Sequence, residues 1–223
     1  MYEELMLLAL KDEQGTVAAD ETKFTYTVAA SFLAELLMAK RIKVVGGKKK
    51  LVELERPTPL GDPILDECLE KVKSAKRRAS LTTWVSRFAR LKKLKHRIAG
   101  QLVDRRILRA SQDTVLLIFT RKIYPELDPK PERELIERLR KAIFGGGREV
   151  DPRTTLLVSL ADKAGVLKNA FDKKRLRDKK ARIKEIGKGE VTAAAAGQAI
   201  EAVQAALVVA VMIPAMAATT ASS

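Results

Sequence analysis

The chain has 223 residues, 46% hydrophobic and 32% charged, a balance that builds a folded domain with a real core rather than a disordered segment. Aromatic residues are only 4%, thin for a protein that stacks bases or sugars, and the single cysteine, Cys68, excludes an internal disulfide and a cysteine-built zinc site. The net charge of +15 is concentrated: residues 71–109 carry fourteen Lys and Arg against one acid, Asp104, so this stretch alone holds +13.

Residues 1–11 read as an amphipathic helix, with Leu5, Leu8 and Leu7 or Met6 inward and Glu3 and Glu4 at its positive end. Those two acids stand where a signal peptide would carry its basic region, so no leader is expected. A helix is predicted from about Thr27 to Lys40, buried through Val28, Phe32, Leu33, Leu36 and Leu37. Alternation over Ile42–Val45, a turn at Gly46-Gly47 and alternation over Leu51–Leu54 predict a β-hairpin. After the stiff segment Arg56–Pro63, Asp62 caps the next helix with Pro63 at its first position.

Helices are expected over about 63–74, 81–89 and 91–106, and a second hairpin from Ile107–Ala110 and Thr114–Phe119. Prolines 125, 129 and 131 precede a helix over 132–144, which Gly145-Gly146-Gly147 stops. Asp151-Pro152 opens another, through about Ala164. A basic helix over 168–186, with nine basic and three acidic residues, and a C-terminal helix complete the chain. The unbroken apolar part of that last segment, Ala205–Ile213, covers nine residues, whereas a spanning helix needs about twenty, so it is expected as a core helix. The fold class is mainly α: a single helical domain over 1–213, built around a central helix bundle with two small β-hairpins, followed by a flexible tail over 214–223.

Little here points to catalysis. His96 lies in the basic stretch without a carboxylate or nucleophile nearby in sequence, and reads as a solvated helix residue. Cys68 reads as a buried helix thiol. Asp62, Asp66 and Glu67 have the spacing of helix capping, and the glycine run 145–147 lacks the Lys-Ser/Thr of a phosphate-binding loop. No metal, no cofactor and no enzymatic activity are expected.

The basic stretch is different, because so many cations without internal acids repel one another unless something negative compensates. Each Lys or Arg close to an anionic membrane contributes about 1 kcal/mol, so roughly four to six on one face suffice for reversible binding. Lys92 and Lys95, three apart, are expected to share a helix face. Val115, Leu116, Leu117, Ile118 and Phe119 form an apolar run, either a buried strand or a finger that dips among headgroups.

Several segments, taken in order, carry a resemblance: Glu3–Gly15 (EELMLLALKDEQG), Leu33–Ile42 (LAELLMAKRI), Gly61–Leu69 (GDPILDECL), Trp84, Arg97–Leu108 (RIAGQLVDRRIL), Asp151–Leu157 (DPRTTLL) and Val166–Phe171 (VLKNAF). Together they resemble the Golgi phosphoprotein 3-like family over about residues 2–212. The resemblance implies a mostly helical domain without catalysis, in a cytoplasmic protein bound peripherally to anionic or phosphoinositide membrane surfaces through phosphatidylinositol 4-phosphate. It also implies a hairpin that contributes to membrane contact and self-association. In eukaryotic members the headgroup pocket uses a Trp and an Arg near the second helix and a basic pair before the hairpin. Lys92 and Lys95 fall on the basic pair, with Arg97 beside them, while Asp20 falls at the Trp position and Ala29 at the Arg position. Phe24 or Tyr26 is expected to supply the missing aromatic, giving a divergent, bacterial member with altered headgroup selectivity. The competing reading is a nucleic-acid binder, in which the helix 27–40 and hairpin 41–54 imitate a winged helix and the basic helix tracks phosphates.

Overall fold

A helix that is apolar all round its middle must be enclosed on every side, and α2 (Glu21–Met38) is such a helix: residues 27–34 are all buried. The computed structural model describes residues 1–11, 16–17, 20–46, 49–115, 119–147, 149–190 and 201. Asp20 starts α2 by accepting a hydrogen bond from the Lys23 N–H at 2.9 Å, so the helix begins six residues before the expected Thr27. Its buried hydroxyls are satisfied internally: Ser31 donates to the Val28 carbonyl at 2.7 Å and Thr27 to that of Lys23 at 2.8 Å.

Around α2 pack α4 (Leu81–Ala89) and α7 (Pro152–Ala164), with α1 (Tyr2–Ala9) bridging to α5 (Leu94–Asp104) and α6 (Lys130–Phe144). An aromatic chain ties three of them: Tyr2 meets Phe32 edge-on at 5.2 Å, Phe32 meets Phe88 at 6.4 Å, and Phe88 lies 5.5 Å from Trp84. α3 (Pro63–Lys73) buries Ile64, Leu65, Cys68, Leu69 and Val72, the stripe its periodicity requires. Asp62 accepts from the N–H groups of Ile64 and Leu65 at 3.0 and 2.9 Å, and Asp151 accepts from that of Thr154 at 2.9 Å, so both Asp-Pro starts form as expected.

The mainly α architecture carries small antiparallel sheets at its margins. β3 (Ile42–Val45) and β4 (Leu51–Leu54) pair from Ile42 opposite Leu54 to Val45 opposite Leu51, the hairpin the glycine turn predicts. Two features go beyond the expectation: β5 (Ala79–Ser80) adds a third strand to β4, and β1 (Leu10–Lys11) pairs with β2 (Thr16–Val17), ending the first helix at Ala9. The second hairpin differs in register. Its arms are β6 (Ser111–Val115) and β7 (Phe119–Ile123), with Val115 opposite Phe119, so the apolar run straddles the connection instead of forming one arm. Leu116, Leu117 and Ile118 lie outside the described residues.

The basic helix expected over 168–186 is three pieces, α8 (Leu167–Ala170), α9 (Lys173–Asp178) and α10 (Lys180–Lys188). Phe171 is extended, and Asp172 restarts the chain by accepting from the Arg175 N–H at 2.9 Å. The expected C-terminal helix and the tail 214–223 lie outside the described residues. Among the described residues no helix is long and apolar enough to cross a membrane.

Candidate functional site

The turn between α4 and α5 is pinned by two leucines and clothed in cations. Leu91 and Leu94 are buried, while Arg90, Lys92 and Lys93 between and before them are exposed. None of the three makes an ion pair with a described residue. Lys93 takes the left-handed conformation (φ 53°) that turns the chain into α5, and its side chain makes no capping hydrogen bond. No acid stands in the first turn of α5. Free N–H groups and the positive end of the helix dipole therefore coincide with three uncompensated cations, an arrangement that an anionic group relieves.

Two neighbours define the site further. Lys95 reaches across to Glu21 at 2.8 Å, which places the start of α2 beside the start of α5. His96, exposed, holds the Tyr124 hydroxyl at 2.8 Å through Nδ1. Tyr124 immediately follows β7, so the basic turn and the foot of the β6–β7 hairpin are adjacent. Arg87 on α4 lies over the Trp84 ring at 4.6 Å, covering the only tryptophan in the chain.

The sequence-predicted residues are thus partly united and partly dispersed. Lys92 is free and solvent-facing, but it lies in the turn ahead of α5, so Lys92 and Lys95 do not share a helix face. Lys95 and Arg97 are engaged, the latter with Glu67 at 2.6 Å, and Lys71 shares Glu67 at 3.5 Å. Arg78–Glu53 at 3.5 Å, Lys73–Glu70 at 3.1 Å and Arg105–Glu3 at 2.6 Å neutralise more of the basic stretch. The uncompensated field is therefore narrower than a count over 71–109 suggests. Phe24 is fully buried in the core and has no ring face to offer a headgroup; Tyr26 is half-buried against the same core. Asp20 is the α2 cap and Ala29 is a buried packing residue, so neither family pocket position presents an aromatic or a cation. Arg90 and Lys93 carry no separate signal in the sequence beyond the i, i+3 leucines 91 and 94, whose inward spacing turns the polar side chains before and between them outward.

Other chemistry is not assembled here. Cys68 is buried, and burial pushes its thiol far above the ordinary range, with Glu67 adding to the rise. Among the described residues no cluster of three or more His, Cys, Asp or Glu side chains is placed to hold a metal ion. The winged-helix reading needs an exposed recognition face on α2, and burial across 27–34 removes the middle of that face.

A family model described as Golgi phosphoprotein 3 (GPP34) matches residues 1–203. Vacuolar protein sorting-associated protein 74 of Schizosaccharomyces pombe is 25% identical over 211 residues, covering 80% of this chain. The chain spans 62% of the length of that relative.

Proposed function

Because this chain belongs to the Golgi phosphoprotein 3 (GPP34) family, we propose that it is a non-enzymatic peripheral membrane protein that binds anionic lipid headgroups, of which phosphatidylinositol 4-phosphate is the type. The observation that carries the reading is the α4–α5 turn, where Arg90, Lys92 and Lys93 stand without acid partners at the uncapped positive end of a helix. Three such cations contribute about 3 kcal/mol close to an acidic surface. In this reading the apolar run Val115–Phe119 enters the headgroup region, each buried large side chain adding about 1.5–3 kcal/mol. The His96–Tyr124 contact supports it, since it sets the foot of that hairpin beside the cations. The same hairpin is proposed to mediate self-association.

Asp20 and Glu21 at the rim make this site less cationic than a pocket built from a Trp and an Arg, so selectivity for the 4-phosphate is expected to be weaker. The S. pombe relative is named for vacuolar protein sorting, and a membrane-surface role fits that name. The test is co-sedimentation with neutral, phosphatidylinositol-containing and phosphatidylinositol 4-phosphate-containing vesicles, against duplex DNA of equal charge at one fixed ionic strength. Salt weakens both kinds of binding, so salt dependence alone does not separate them. Retention on the two acidic vesicles and not on the neutral ones is expected. Equal or tighter binding of DNA overturns the proposal. Leu116→Ser with Leu117→Ser is expected to reduce vesicle retention; no reduction removes the hairpin from the site.

A further inference from the structure

A cleft of about 640 Å³ lies between α7, α8, α9 and α10, far in sequence from the α4–α5 turn. Volumes of this size suit a small ligand. Its apolar wall comes from Leu167, Leu176 and Ile183. At one end α10 closes onto α7, because a Cβ on Gly187 would stand 3.5 Å from Ser159 Oγ. Around the mouth are Lys163, Lys168, Arg177, Lys180 and Lys184, all exposed and none in an ion pair with a described residue. Lys188 is also at the mouth but is held by Glu190 at 3.0 Å. Among the described lining residues Asp162 is the one acid; burial raises its carboxyl, while the nearby charges of Lys163 and Lys180 favour the carboxylate.

These two properties do not usually occur together without a ligand. A site for phosphate or nucleic acid alone has no need of an apolar recess, and a mere packing gap does not gather five cations against a single acid, Asp162. An acidic peptide fits less well than an acyl chain. A peptide laid along the apolar wall of Leu167, Leu176 and Ile183 would bury its own N–H and C=O groups against side chains that cannot pair them, whereas an acyl chain has none to lose. We propose that this cleft holds one anionic phospholipid, its acyl chain along Leu167, Leu176 and Ile183 and its phosphate among Arg177, Lys180 and Lys184. The site shares no residue with the α4–α5 turn and needs no bilayer, so it stands or falls separately from the membrane-surface reading.

The test is isothermal titration of the full chain with monomeric 14-carbon lysophosphatidylglycerol below its critical micelle concentration. Lysophosphatidylcholine of the same chain length and glycerol 3-phosphate serve as the zwitterionic and chain-free arms. Saturable one-to-one binding of the anionic lysolipid is expected, with both other probes at least about tenfold weaker. Lys180→Glu with Lys184→Glu, both exposed, should weaken the lysolipid at least about tenfold with the thermal midpoint unchanged. Leu176→Asp should remove the advantage of the lysolipid over glycerol 3-phosphate, and Lys92→Glu with Lys93→Glu should leave that advantage in place. Equal affinity for glycerol 3-phosphate or for lysophosphatidylcholine overturns the proposal. So does equal affinity for an acidic peptide, indifference to the Lys180/Lys184 reversal, or loss of chain-dependent binding in the Lys92/Lys93 variant.

Discussion

Asp62 holds two parts of the domain at once, and its replacement should show both. One carboxylate oxygen accepts from the Ile64 and Leu65 N–H groups at 3.0 and 2.9 Å, and the other accepts the Tyr2 hydroxyl from α1. Gln101 on α5 offers that hydroxyl a second acceptor at 3.2 Å. Losing the cap costs about 1 kcal/mol. Losing a charge-assisted bond costs about 1.5–3 kcal/mol, reduced here because Gln101 remains. Asp62→Ala should therefore destabilise by about 2–3 kcal/mol. At a urea slope of about 2 kcal/mol/M the midpoint falls by about 1 M, read by circular dichroism and Trp84 fluorescence. Asp62→Asn keeps a good capping side chain and should cost less than half as much. Tyr2→Phe in the Asp62→Ala background should add little, giving a coupling of about 1 kcal/mol in the double-mutant cycle. A loss below about 0.5 kcal/mol in Asp62→Ala, or strictly additive Tyr2 and Asp62 effects, refutes this account of the α1–α3 junction.

Glu4 supplies a pH dependence. Burial alone would raise its carboxyl, but the N-terminal ammonium, Arg138 and Arg153 outweigh burial and hold it at about 2 against an ordinary 4.5. A depressed acid stabilises fully above its unfolded value, so on the order of 3 kcal/mol should be present above pH 4.5 and drain away as pH falls toward 2. Denaturation midpoints between pH 6 and 2 measure it, and Glu4→Gln should flatten that slope. Gly145 ends α6 where a Cβ would collide with the Lys141 carbonyl oxygen, whereas nothing lies near a Cβ on Gly146. Gly145→Ala should cost about 1–3 kcal/mol and Gly146→Ala close to nothing in the same unfolding assay.

Local signals were legible where they are chemically complete within a few residues. Asp62-Pro63 and Asp151-Pro152 specify helix starts by themselves, and Gly46-Gly47 between alternating segments specifies a hairpin. The start of α2 was missed because its first turn after the Asp20 cap, Glu21-Thr22-Lys23, is polar and hides the apolar period until Phe24. β5 and the β1–β2 pair are two residues per strand, too short to show alternation. The break in the basic helix rests on one cap, Asp172, inside a run of lysines and arginines.

The site was half legible for a related reason. Charge counted along a segment cannot show acids arriving from elsewhere in the fold, and Glu21, Glu53, Glu67 and Glu3 neutralise Lys95, Arg78, Arg97 and Arg105. The shared face of Lys92 and Lys95 assumed a continuous helix, which the left-handed turn at Lys93 interrupts. Lys76, Arg77, Arg87, Arg106 and Arg109 also lack an acid partner among the described residues, and the grouping of Arg90, Lys92 and Lys93 at one turn emerges only when burial of Leu91 and Leu94 is set beside the ion pairs.

The most direct measurement is the vesicle dissociation constant of the wild type, of Lys92→Ala with Lys93→Ala, and of Glu21→Gln, on membranes containing phosphatidylinositol 4-phosphate. Removing two free cations at about 1 kcal/mol each should weaken binding about thirtyfold, and releasing Lys95 from Glu21 should tighten it several-fold. A double variant that stays within about twofold of the wild type, with Glu21→Gln equally silent, would contradict a membrane site at the α4–α5 turn.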